Sequence, residues 1–197
     1  VPSDVIHGDQ STMTTISPST AADTGASTDP LQLIDVDHVR FQVANAKQAA
    51  FFYAYAFGFQ VAQVDDLTTG NRDSANYLLT QGNIRFLLET PLTPKHPATE
   101  EISRYGDGVK DIALTVFDAE KAYEQALRNG GESAYEPVET KDEHGVVTMA
   151  GIKTYGRVVH SFVSRRGAYE LPAVKQGGVF MPRWRKVESY ALNAYNL

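Results

Sequence analysis

One unit of this chain is written twice, at a fixed offset of 73 residues. His38 maps onto Asp111 (111 − 38 = 73), and the same step carries Val43 onto Val116, Ala46 onto Ala119, Ala49 onto Ala122 and Gly58 onto Gly131. An offset held across a strand, a cap and a helix stop marks an internal duplication of one supersecondary unit. In the first copy, residues 33–43 alternate as a strand should. Val36, His38, Arg40 and Gln42 fall on one face, and Asp37, Val39, Phe41 and Val43 on the other. Asn45 then caps a helix expected over Ala46 to Ala56, and Gly58 ends it. In the second copy, Asp118 is the cap, Ala119 to Arg128 the helix, and Asn129-Gly130-Gly131 the stop.

Three β-prone runs follow each helix: 59–66, 74–81 and 83–89, then 132–138, 145–153 and 157–164. Turn chemistry at Gly70-Asn71, Gly82-Asn83, His144-Gly145 and Tyr155-Gly156 separates them. The expected fold is therefore α+β, with two tandem βαβββ modules over about 33–90 and 108–165, paired into one domain spanning 31–172. Two such curved half-sheets share a concave surface, the kind of place where ligands bind. Residues 1–30 are rich in Ser and Thr and carry no Lys, Arg or aromatic residue, so they read as a disordered arm. Residues 173–197 read as a tail with a short helix starting at Pro182, its apolar stripe being Trp184, Val187, Ala191 and Ala194 or Tyr195.

Composition narrows the function classes. A net charge of −6 argues against a nucleic-acid binder, which needs a basic face. No apolar run reaches the roughly 18 residues of a membrane span. The absence of Cys removes thiolate metal sites, iron–sulfur clusters and a Cys nucleophile, and it fits a reducing, cytoplasmic setting.

Four stretches then carry a resemblance: AKQAAFFYAYAFGFQ, RDSANYLLTQGNIRFLL, YGDGVKDIAL and KDEHGVVTMAGIKTYGRVVHSFVSR. With the repeated βαβββ plan they resemble the vicinal-oxygen-chelate (glyoxalase-like) superfamily. Within it, from about Leu31 to Pro172, they resemble the N-terminal domain of the 4-hydroxyphenylpyruvate dioxygenase family. The sister 4-hydroxymandelate synthases share that half. The resemblance implies Fe(II)-dependent, decarboxylating oxygenation of an aromatic 2-oxo acid in tyrosine catabolism. The iron is held on two His and one Glu in a C-terminal pair of modules. It also implies that an N-terminal half carries no catalytic residues or tightly held cofactor, and that its partner is a catalytic half or a second copy of itself. An alternative from the same superfamily is a small-molecule binding module that takes an aromatic ligand without chemistry. After Pro172 the family would continue through a linker, whereas this chain runs on as AVKQGGVFMPRWRK. That leaves a truncated copy, a natural half-protein and a fragment as open readings.

The repeat allows the family's metal positions to be compared with this chain. They fall on His38, Asp111 and a site near Ser161, which is not a two-His, one-carboxylate set. Glu89 shares strand parity with Leu87, so a His38/Glu89 pair is the one metal candidate, set against a half-buried His38 and a solvated Glu89. His96 is expected to be solvated in a Pro-rich loop, and His144 to belong to a hairpin turn. His160 and Ser161 lie on opposite faces of a strand, without the Gly-x-Ser-x-Gly setting of a nucleophile. Neither Gly130-Gly131 nor Gly177-Gly178 has the context of a phosphate loop. Phe51, Phe52, Tyr53, Tyr55, Phe57 and Phe59 are expected to pack under the sheet.

Overall fold

The computed structural model describes residues 29–187. The arm through residue 28 and the tail from residue 188 lie outside the described residues. Strand β1 (Leu33–Gln42) leads into helix α1 (Ala46–Phe57), followed by β2 (Gln60–Asp65), β3 (Ser74–Gln81) and β4 (Ile84–Pro91). A connecting helix α2 (Pro97–Tyr105) brings the chain to β5 (Gly108–Val116), α3 (Ala119–Arg128), β6 (Ser133–Asp142), β7 (Gly145–Lys153) and β8 (Val159–Gly167). A short helix α4 (Leu171–Lys175) and a two-residue strand β9 (Arg185–Lys186) complete the described chain.

The two copies start alike at the atomic level. The Asn45 side chain accepts a hydrogen bond from the Gln48 backbone N–H, and Asp118 accepts from that of Lys121, so the same orphan donor is satisfied at each helix start. Gly58 closes α1 at φ 76°, a left-handed conformation that costs a side-chain-bearing residue energy.

Among the described residues, the nine strands form one mixed sheet in the order β6-β7-β8-β5-β1-β4-β3-β2-β9. Within each module the first and last strands run parallel, β1 with β4 and β5 with β8, and the modules join where β1 and β5 pair antiparallel. The fold is thus α+β, two tandem βαβββ modules curled into half-barrels.

Both module helices cover the outer face. Ala46, Ala50 and Ala54 of α1 sit against a layer that includes Val61, Tyr77, Leu79 and Leu88, while Ala119, Ala122, Tyr123 and Ala126 of α3 sit against Val116, Ala150 and Phe162. The aromatic run of α1 departs from expectation. Phe59 and Tyr53 pack inward, but Phe51, Phe52, Tyr55 and Phe57 are exposed at 43%, 55%, 77% and 56%. Alanines at four-residue spacing let α1 lie close to a sheet that supplies its own rings, Phe41 and Phe86, so the helix's large side chains turn outward.

The tail covers part of the inner face. Tyr169 packs with Ala113, Val147 and Val163, and Phe180 with Leu78 and Val174. Gln63 holds this segment by its backbone, donating to the Gly178 carbonyl and accepting from the Phe180 N–H, both at 2.8 Å. The helix expected from Pro182 is not formed as far as Val187. Pro182 lies in a turn with Arg183 at φ 71°, and Arg185 and Lys186 then pair antiparallel with β2. Proline suits the start of a turn as well as a first helical turn, and here the free edge of β2 decides between them.

A polar cavity on the inner face of the sheet

The remainder of the inner face is an open cavity of about 600 Å³. Its floor is Arg40 and Gln42 from β1 and Glu89 from β4; Tyr135 and Val159 line it from the second module, His96 and Pro97 stand at the start of α2, and Glu101 lies midway along it. The pairing of Gln42 with Glu89 across parallel β1 and β4 sets that floor, and Gln42 Nε2 donates to Glu89 Oε2 at 3.1 Å.

Arg40 lies between two acids. Its terminal nitrogens are 3.9 Å from Glu89 and 3.7 Å from Asp111, beyond hydrogen-bonding range, and its buried Nε–H donates to nothing among the described residues. Asp111 is fully buried, and its two oxygens accept from the Ser161 backbone N–H at 3.1 Å and hydroxyl at 2.5 Å. The Ser161 Oγ also lies 2.5 Å from the Tyr135 hydroxyl. Burial pushes the Tyr135 phenol up to about 12, and the nearby Asp111 carboxylate adds to this against the Ser161 hydrogen bond. Gly151 makes room for the Tyr135 ring, since a Cβ there would lie 2.3 Å from a ring carbon.

Around the mouth, Glu101 binds Lys110 at 2.6 Å and approaches Arg157 at 3.5 Å, and the Arg157 guanidinium stacks over the Tyr105 ring. His96 is half-buried rather than freely solvated as expected. It caps α2, with Nδ1 accepting from the Ala98 N–H, and its Nε2 stands 3.8 Å from Glu89. The His-Pro pair that begins α2 carried this signal, because Pro at a first helical turn implies a cap before it.

His38 and Glu89 are not brought together. Glu89 lines the cavity, buried rather than solvated, whereas His38 is 2% exposed and sealed beneath the Phe180 ring at 5.4 Å. A strand separation of four residues puts them about 13 Å apart along the sheet. The His38 Nδ1 is 2.8 Å from Asp37, which takes a two-pronged pairing from Arg165 with both contacts at 2.8 Å. Strict alternation would put Asp37 and His38 on opposite faces. A bulge between Val36 and His38 in the β1–β5 pairing turns both into the same buried layer. Burial alone would raise the Asp37 pKa. The charge and hydrogen bonds of Arg165 and the His38 contact overcome that and hold the carboxyl well below the usual range. His160 faces away from Ser161, its Nδ1 3.1 Å from the Ile112 carbonyl, and His144 is exposed at its turn.

The donor set does not fit Fe(II). Of the three positions that the family resemblance would equate with iron ligands, His38 is committed to Asp37, Asp111 to Ser161, and Ser161 is itself a poor ligand. The positive charge facing Asp111 and Glu89 is a guanidinium. Among the described residues no three His, Asp or Glu side chains converge as a metal group.

Residues 35–155 match the family model described as Glyoxalase/Bleomycin resistance protein/Dioxygenase superfamily. The chain belongs to this superfamily. Among curated members it is 44% identical over 138 residues to 4-hydroxyphenylpyruvate dioxygenase of Dictyostelium discoideum, which covers 68% of this chain and 38% of that protein. It is 36% identical over 160 residues to the Caenorhabditis elegans enzyme of the same name, covering 79% and 40%. The chain therefore spans about two fifths of the length of these superfamily members. Among solved structures it is similar in fold to a triple mutant of 4-hydroxymandelate synthase from Streptomyces coelicolor (TM-score 0.61, 20% identity, 70% of this chain and 43% of that one). A methylmalonyl-CoA epimerase from Mycobacterium tuberculosis shares the superfamily fold at TM-score 0.56 and 18% identity, covering 71% of this chain and 92% of that one.

Proposed function

We propose that this chain acts as the iron-free half of a 4-hydroxyphenylpyruvate dioxygenase-type enzyme. In that role it is a folding and assembly domain, and turnover of an aromatic 2-oxo acid with O2 belongs to an iron-bearing half. The observation that carries the reading is the Arg40 guanidinium, which lies 3.7 Å from Asp111, one of the positions that the family resemblance would equate with iron ligands. A permanent cation there disfavours a divalent ion by direct repulsion. The named relatives supply the reaction class.

Metal analysis of the purified 197-residue chain, together with oxo-acid-dependent O2 uptake, tests it. The expected result is iron far below one per chain and no uptake after Fe(II) is added. One iron per chain together with turnover would overturn the proposal.

A further inference from the structure

We infer that residues 189–197 fold back over the outer side of α1 and cover its exposed aromatic residues. The route of the chain is the first reason. Phe180 and Trp184 lie on the inner face, but Val187 packs in the layer beneath α1, so the chain has passed round the edge of β2. It leaves that edge in one direction. Lys186 pairs antiparallel with Gln63, and the Val187 N–H donates to the Ala62 carbonyl at 2.9 Å, so the following residues run towards Gln60 and Phe59. Gly58, where α1 ends, immediately precedes them. The described chain therefore stops about two residues short of the last turn of α1.

The surface waiting there is the second reason. Phe52, Tyr55 and Phe57 are exposed, and the Phe52 and Phe57 rings meet edge to face at 5.7 Å. No charged residue occurs between Lys47 and Asp65, so nothing on α1 beyond its first turn offsets the exposure of these rings to water.

The segment itself gives the third reason. Residues 189–197 read SYALNAYNL, without a charge and with Tyr190, Leu192, Tyr195 and Leu197 as large apolar side chains. The eight residues 190–197 can span up to about 27 Å when extended, against about 18 Å for the twelve residues of α1. A segment tethered this close reaches the rings by a short loop closure, which favours it over a second copy of the chain arriving from solution. The contact uses neither the inner-face cavity nor iron, so it stands or falls separately from the iron-free-half reading.

The chain contains no Cys, so a pair of introduced thiols reports the contact on the full chain. Under mild oxidation in dilute solution, Ala56→Cys/Asn193→Cys should close an intrachain disulfide at least about tenfold faster than Asn83→Cys/Asn193→Cys. Asn83 lies in the β3–β4 turn at the same end of the sheet, within reach of an undocked tail. Adding Leu192→Ser and Tyr195→Ser to the first pair should slow it to the rate of the second. In the unaltered chain, Leu192 and Leu197 methyl protons should give nuclear Overhauser contacts to the Phe52 and Phe57 rings. These contacts decide if a cysteine variant fails to fold by circular dichroism. Equal rates for the two cysteine pairs, a rate unmoved by the serine substitutions, or contacts mapping elsewhere overturn the inference. A disulfide between chains, or Overhauser contacts found only between differently labelled chains in a mixed sample, also overturns it and assigns the patch to a second copy.

Discussion

Asp37 shows how much one buried carboxylate can organise. It is fully enclosed and faces His38, Thr115 and Arg165, and Arg165 extends the same network to the Phe180 carbonyl and ring. Removing one member of a buried ion pair leaves the other charge uncompensated, at a cost of about 3–5 kcal/mol. Arg165→Met should therefore lower stability by that order, read as a drop in the urea midpoint. The sign of the pH effect follows from the depressed pKa of Asp37. Its stabilisation is present above the ordinary carboxylate value of 3.8 and fades as pH falls further. Arg165→Met removes the charge that depresses this pKa, so acid unfolding of the variant should begin at higher pH than in the parent. Unfolding followed by Trp184 fluorescence would measure both; Trp184 is the single tryptophan, and its ring lies 5.7 Å from Phe180. Asp37 was invisible as a centre in the sequence because alternation put it on the wrong face, and its partner Arg165 lies 128 residues away.

At the scale of elements, the duplication makes a paired test available. Asn45 and Asp118 occupy equivalent caps, each accepting from the backbone N–H three residues on. Asn45→Ala and Asp118→Ala should each cost about 1 kcal/mol of stability. Because they serve different helices without shared partners, the double variant should show the sum within about 0.5 kcal/mol. Thermal or urea unfolding of the three variants checks this. These caps and the strand runs were legible because they rest on local chemistry. The orientation of α1 was not, since Ala46, Ala50 and Ala54 and the neighbouring aromatic residues both offer a stripe at helical spacing. The rings already present on the sheet decide which stripe turns inward. Helix α2 was missed because its nine residues fall between the repeats, where only the His96-Pro97 cap signal announces it.

For the molecule as a whole, the inner face is divided between the tail and the cavity. Phe180 is fully buried over Leu78 and His38 and is held by Gln63 and Arg165. Phe180→Ala should lower stability by about 3–5 kcal/mol, as large aromatic-to-alanine changes in cores do. The urea midpoint reads this, and the Trp184 emission of the folded variant should shift to the red as the tail loosens. The same seal takes His38 out of reach of any ligand in the cavity. Strand register, which pairs Gln42 rather than His38 with Glu89, is what separates His38 from Glu89 as a metal pair.

The duplicated βαβββ plan and both helix caps were legible in the residues alone. Periodicity and capping act over a few residues or follow from residue type. It takes the folded chain to bring Asp37 beside His38 through a bulge, to close the tail over them, and to set Arg40 between Glu89 and Asp111 at the floor of a cavity. Those outcomes depend on strand register and on contacts between residues far apart in the chain, where packing and charge pairing override any local preference.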